Sequence, residues 1–167
     1  MRALNQSLPL KLLQAREAVM EMFRPHLHAH GVTEQQWRVL RALAEAAALE
    51  AGELARRVCL LTPSLSRILR DLSAQGLLTR RNSPSDRRVV IVKLTAKGRL
   101  LFDEMSRESE VVYASIESTL GEETCRTLMA KLDDVVATLV EAKQTRGDEA
   151  LERANPKQRK LAAHVRR

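Results

Sequence analysis

Between Thr62 and Leu94 the hydrophobic period changes once, from the 3.6-residue repeat of a helix to the β-branched run of a strand, and few folds accommodate that change in so short a space. Pro63 suits a first helical position, with Thr62 as its N-cap. On the helix that follows, Leu65, Ile68, Leu69 and Leu72 share one side while Ser66, Arg67 and Arg70 lie opposite. Gly76 supplies the stop, so the pattern predicts a helix over 62–75. Residues 77–81 and 89–94 then read as two strands, joined by a loop over 82–88 that holds Pro84, Asp86, Arg87 and Arg88.

The flanks are helical. A first helix is expected from Pro9, with Ser7 available as a cap, to a stop before Gly31. Leu12, Leu13, Val19, Met20, Phe23 and Leu27 form its apolar stripe, which suits core or subunit contact, and Pro25 is expected to kink or break it. A second helix opens with a capping box, Thr33 and Gln36, and a staple of Val32 on Trp37; its apolar face is Trp37, Leu40, Leu43, Ala44 and Ala47. A short helix over 53–58 precedes the 62–75 helix. Beyond the strands, Thr95 caps a helix through Leu101, Met105 and Val112, a break falls at Gly121, and a last helix passes Leu128, Leu132, Val135 and Leu139. From residue 144 the periodicity fades, and 144–167 reads as a basic, disordered tail. The predicted class is mainly α with a small β-hairpin wing.

The formal charge of +7 is unevenly spread. Residues 53–99 carry eleven basic and three acidic groups, whereas residues 100–143 carry four and ten. A basic block beside an acidic one is the footprint of a nucleic-acid surface on a scaffold with another task. Two short helices, the second basic on its outer face, followed by a hairpin with a basic tip, make a winged helix-turn-helix over 33–94. A helix fits the major groove, where Arg bonds guanine in a bidentate manner and Ser or Thr bonds either donors or acceptors. An Arg at a hairpin tip reaches the adjacent minor groove, and flanking Arg contacts to phosphate fix the register.

The residues that carry this pattern also resemble a known family. Glu53-Leu54-Ala55, Ser64-x-Ser66-Arg67-x-Leu69-x-x-Leu72-x-x-x-Gly76-Leu77-Leu78-x-Arg80, Asp86-Arg87-Arg88 and Leu94-Thr95-x-x-Gly98 are similar to the signature of the MarR family of bacterial transcriptional regulators. The resemblance implies a homodimer built from the helices of 1–32 and 95–143, bound to a pseudo-palindromic operator in double-stranded DNA. It implies DNA contacts by Thr62, Ser64, Ser66, Arg67, Arg70, Arg80, Asp86, Arg87 and Arg88, with Arg88 in the minor groove and Asp86 holding the wing. Ser7-Leu8-Pro9-Leu10, Leu13-Gln14-Ala15-Arg16-Glu17 and Thr33-Glu34-Gln35-Gln36-Trp37-Arg38-Val39-Leu40 are similar to the HpaR-type branch, repressors of homoprotocatechuate degradation. That branch implies release from the operator by a small aromatic acid such as homoprotocatechuate or 4-hydroxyphenylacetate.

Arg16 lies on the apolar stripe of the first helix, where a charge needs a partner. Either a carboxylate on another helix or on a partner subunit meets it, or it receives the carboxylate of an aromatic acid, with Trp37 stacking on the ring and His26 or His30 meeting a hydroxyl. His26 and His30 are also spaced for one helix face and so for a metal, but no third ligand is evident. Some relatives sense peroxide through a cysteine early in the first helix; the first cysteine of this chain is Cys59, expected as a small core residue.

Other classes lack their signatures. No nucleophile elbow, phosphate-cradling glycine loop or paired Cys and His points to an enzyme or a cofactor. No apolar run suits a membrane span and no secretory leader is evident, so a soluble, cytoplasmic protein is expected. A nonspecific architectural DNA binder, led by the basic tail, is the remaining rival.

Overall fold

The computed structural model describes residues 3–154, which divide into two units, one up to Ile116 and one from Glu117. The first unit contains a 3₁₀ turn, Leu4–Gln6, then α1 (Leu8–Ala29), α2 (Glu34–Glu45), β1 (Leu49–Glu50), α3 (Ala51–Arg57), α4 (Thr62–Ala74), β2 (Leu78–Asn82), β3 (Val90–Leu94) and most of α5 (Ala96–Leu120). The second holds the end of α5 and α6 (Glu122–Ala154).

Helix α2 is central. Its capping box forms as the sequence predicts: Gln36 N donates to Thr33 Oγ1 at 3.2 Å and Thr33 N to Gln36 Oε1 at 2.9 Å. Trp37, Leu40 and Leu43 are buried as expected, and so is Val39, because elements cover α2 on more than one side. Ala47 is exposed, past the end of the helix. One core joins Phe23 and Leu27 of α1 to Leu54 of α3, Leu65 and Leu72 of α4, Val92 of β3 and Met105 of α5.

Pro25 does not break α1, which runs unbroken for 22 residues. A proline inside a helix costs roughly 3 kcal/mol. Phe23 and Leu27, one on each side, are buried, and at about 1.5–3 kcal/mol each their burial offsets that cost. The N-terminal end of the same stripe is different: Leu12 and Leu13 are exposed, as is Leu8 at the start of the helix. Ser7 sits at the N-cap position without a side-chain bond, and the helix begins one residue before Pro9.

A third strand, β1, was invisible to periodicity because it has two residues. It pairs antiparallel with β3, Leu49 opposite Val92, and gives the sheet the order β1-β3-β2. The hairpin sits one residue later than expected at each start, with Arg80 opposite Val92 and Arg81 opposite Ile91. Thr62 is the first residue of α4 rather than its cap; Leu61 takes the cap position with no side-chain bond, and Pro63 still lies in the first turn, where its missing N–H has no helical partner to lose.

In the second unit α6 continues to Ala154, so residues 144–154, expected as the start of a disordered tail, are helical. Residues 144–154 contain Gln, Ala, Leu, Glu and Arg, strong helix formers whose preference survives the loss of an apolar stripe. The rest of the expected tail lies outside the described residues. No helix of the described residues is long and apolar enough to cross a membrane.

Candidate nucleic-acid interface and ligand cavity

The two faces of α4 separate cleanly. Leu65, Ile68, Leu69 and Leu72 are buried, while Thr62, Ser64, Ser66, Arg67 and Arg70 are exposed. Arg67 and Arg70 form no ion pair with any described residue, so their guanidinium donors face solvent. The helix is anchored at its C-terminal end. Gly76 follows in the left-handed conformation, φ 73°, that a residue with a β-carbon rarely adopts. Thr95 Oγ1 donates to the Gly76 carbonyl at 2.7 Å and accepts from Gly98 N at 3.0 Å; Lys97 Nζ donates to the Gln75 carbonyl at 2.9 Å. A β-carbon on Gly98 would lie 2.0 Å from the Leu77 carbonyl oxygen, so this close approach of α5 to the end of α4 requires glycine.

The wing is built by its own backbone. Ser83 N donates to the Val89 carbonyl at 2.8 Å and Val89 N to the Asp86 carbonyl at 2.9 Å. Asp86 Oδ1 accepts from Arg88 N at 2.9 Å and from Arg88 Nε at 3.3 Å. Asp86 therefore shapes the turn and aims Arg88, whose side chain is 92% exposed. Arg87 is exposed beside it. Cross-strand register separates Arg80, the expected DNA contact, from its neighbour Arg81. Arg80 is opposite Val92, on the core-facing side of the hairpin, although its own side chain overhangs into solvent. Arg81 lies on the outer side with Lys93, a pair the sequence analysis missed and strand alternation could have found.

At the turn before α4, Cys59 is exposed, not buried in the core as expected. The turn from α3 into α4 requires one left-handed residue, and Cys59 takes it at φ 51°, which swings its side chain out of the core. Arg38 Nη1 donates to the neighbouring Val58 carbonyl at 2.7 Å.

Against α2 lies a cavity of about 170 Å³. Met20 and Phe23 of α1 and Trp37 of α2 give it apolar walls; Arg16, Glu34, Arg38, Arg41 and Tyr113 supply polar groups. Arg41 Nη1 donates to Tyr113 Oη at 2.7 Å, and Trp37 stacks on Phe102 with ring centroids 5.5 Å apart. Arg41 and Tyr113 were not singled out from the sequence; only the fold brings residues 72 positions apart together.

Arg16 and Trp37 thus share a cavity, but Arg16 is neither buried nor free. Its side chain is 45% exposed and bonds Glu17 and Glu34, and Arg24 bonds the same two carboxylates. Of the two outcomes open for Arg16, a carboxylate on another helix is the one observed. Bonds from Arg24 hold Glu17 below the usual carboxylate range. Burial pushes Glu34 upward, and the bonds from Arg24 and Arg16 outweigh it, so Glu34 also stays ionised to lower pH.

The two histidines do not join this cavity. They face α5: His30 Nε2 is 3.1 Å from Glu108 Oε2, and His26 Nε2 is 3.2 Å from Ser109 Oγ. Burial lowers the His26 pKa, against the pull of Glu108. Among the described residues no three His, Cys, Asp or Glu side chains gather as a metal site would need.

Comparison with known proteins agrees with this architecture. A family model described as MarR family matches residues 32–90. The HTH-type transcriptional regulator FarR of Neisseria gonorrhoeae is 42% identical over 81% of this chain and 90% of its own length. The homoprotocatechuate degradative operon repressor of Escherichia coli is 38% identical over 80% and 90%. A solved structure of NadR in complex with 4-hydroxyphenylacetate is 41% identical, with a TM-score of 0.69 over 83% of this chain and 96% of that one. A structure of the transcriptional repressor CouR bound to a DNA duplex is 28% identical, with a TM-score of 0.73 over 80% and 94%.

Proposed function

The chain belongs to the MarR family, and from that premise we propose that it is a dimeric, sequence-specific DNA-binding repressor that a small aromatic acid releases from its operator. The observation that carries the DNA reading is the solvent-facing arginine pair on α4, Arg67 and Arg70, in one unit with the projecting Arg88 of the wing. Helix α4 enters the major groove with Ser64, Ser66, Arg67 and Arg70 toward base edges; Thr62 and Arg80 meet phosphates; Arg88 enters the minor groove. Such a complex weakens about 10³- to 10⁵-fold between 50 and 200 mM salt if six to ten phosphates are neutralised.

The effector reading rests on the cavity beside Trp37. Its volume, about 170 Å³, is below the roughly 300–1,000 Å³ of pockets for drug-sized ligands and suits a one-ring molecule. Because Arg16 already serves two carboxylates, the cationic end falls to Arg41 and Arg38, with the ring against Trp37 and ionised Glu34 able to accept from a ring hydroxyl. His26 and His30 then act on the packing of α1 against α5 instead of on the ligand. A relative at 41% identity is known in complex with 4-hydroxyphenylacetate, and another is named a homoprotocatechuate operon repressor, which makes these two acids the first to try.

Dimerisation is supported by the exposed apolar side chains of α1, Leu8, Leu12 and Leu13, and, within α6, by Leu128, Val135 and Leu139, with Met129, Val136 and Val140 beside them. Two copies related by a two-fold axis read half-sites about one helical turn apart.

The test is footprinting of the DNA beside its own gene, with and without homoprotocatechuate and 4-hydroxyphenylacetate. Trp37 is the single tryptophan, so its fluorescence reports cavity occupancy directly. A protected pseudo-palindrome that either acid clears supports the reading; uniform protection without sequence preference sinks it.

A further inference from the structure

Arg38 stands between the ligand cavity and the DNA-reading helix. Its side chain and that of Arg41 border both the cavity of Trp37 and a larger one, about 450 Å³, that Arg57, Val58 and Cys59 line at the turn between α3 and α4; of the two, Arg38 bonds the turn and Arg41 bonds Tyr113. Arg38 Nη1 donates to the Val58 carbonyl, whereas its Nε is buried with no hydrogen-bond partner among the described residues. Val58 caps α3, Cys59 follows in the left-handed conformation, and α4 begins at Thr62. One side chain therefore lines the cavity and tethers the strained peptide through which the chain enters α4.

We propose that Arg38 is the positioning residue through which an anion in the cavity acts on the helix-turn-helix. With the cavity empty, Arg38 holds the α3–α4 turn in its DNA-reading form. A guanidinium prefers a carboxylate, which meets two donors at once, to a single neutral carbonyl, and here one donor is already desolvated and unmet. A bound carboxylate draws Arg38 off Val58, and the untethered turn relaxes away from its left-handed geometry, shifting the start of α4 in the groove. This rests on the effector reading above for its ligand, but not for the role of Arg38 at the turn.

Full-length Arg38→Met, checked for folding by circular dichroism, is compared with the parent for operator affinity with and without saturating 4-hydroxyphenylacetate, and acid binding is read separately from Trp37 fluorescence. Without acid, the variant is expected to bind the operator at least tenfold more weakly than the parent. The acid should then change its affinity less than twofold, although Trp37 still reports binding once the acid is raised to saturate a variant that lacks one of its two cationic contacts. Arg41→Met is expected to bind the acid more weakly yet respond fully at saturation, which separates holding the ligand from transmitting its presence. Arg38→Met that binds the operator within twofold of the parent without acid, or that the acid releases as fully as the parent, overturns the proposal. Should Arg38→Met not fold, the parent decides by nuclear magnetic resonance: the Cys59 amide should shift along the same saturation curve as the Trp37 indole N–H, and a Cys59 signal that stays put while the indole moves is fatal. A parent whose operator affinity no aromatic acid alters defeats the effector reading, while the acid-free comparison still decides the role of Arg38.

Discussion

The chemistry of single residues divides into groups proposed to meet DNA and groups that hold the fold. Arg88 belongs to the first. Its pair with Asp86 is too exposed to add much stability, since exposed pairs contribute about 0–1 kcal/mol. Arg88→Ala should therefore leave the melting temperature unchanged while weakening operator binding by about 1–3 kcal/mol, measured by fluorescence anisotropy. Asp86→Ala, which frees the same arginine without removing it, should cost less. Glu17 and Glu34 belong to the second group. Their folded pKa values lie below the ordinary 4.5, so they add stability that is complete above pH 4.5 and lost as the pH falls below it. His26, lowered from 6.5, adds a loss below pH 6.5 because its protonated form is favoured by the unfolded chain. Melting temperature against pH should fall in two stages, and in Glu34→Gln the lower stage should shrink; a variant that tracks the parent in parallel down to pH 3 would contradict the role of the four-residue network. That Arg16 meets a carboxylate on another helix was one of two expectations, but its identity as Glu34, and the pairing of Arg41 with Tyr113, were not legible in the sequence, because each joins separate helices and leaves no local spacing.

At the scale of elements, α4 is held by its ends and its core face, leaving the outer face free for recognition. Its C-terminal anchor depends on Gly98. A methyl group there meets backbone rather than a movable side chain, so Gly98→Ala should destabilise by about 1–3 kcal/mol or more, read by chemical denaturation, and weaken operator binding with it. Retention of parental stability would show that α5 can shift freely at this contact. On the outer face, Arg67→Ala should relax base preference at one position per half-site, by about 1–3 kcal/mol, without loss of stability. The helix and hairpin were readable because their signals are local: the apolar period, Pro63, Gly76 and the β-branched run. For the opposite reason, Pro25 does not break α1. Helix propensity is a local cost, and the burial of Phe23 and Leu27 that outweighs it belongs to the tertiary fold. Cys59 misled in the same way, since its place in a left-handed turn follows from the approach of α3 to α4 rather than from its hydrophobicity.

For the whole molecule, the apolar side chains left exposed on α1 and α6 predict that the isolated chain is incomplete. Val136→Lys with Leu139→Lys should give a monomer by analytical ultracentrifugation, with far weaker operator binding because one subunit reads only one half-site. A stable dimer in that variant would move the interface elsewhere. The uneven charge, basic in 53–99 and acidic in 100–143, supports the proposal that the middle of the chain meets DNA, and it is visible by counting. Sequence alone determined the order of the helices and the hairpin, and the two faces of α4, because these depend on near-neighbour periodicity, caps and charge; the two-residue β1 left no such signal. Only the tertiary structure decided which polar groups converge: the pairing of Arg16 with Glu34, the cavity of Trp37, Arg41 and Tyr113, the histidines turned toward α5, and the tether from Arg38 to Val58. Those contacts join residues distant along the chain, and their partners are chosen by how helices pack, which no local pattern encodes.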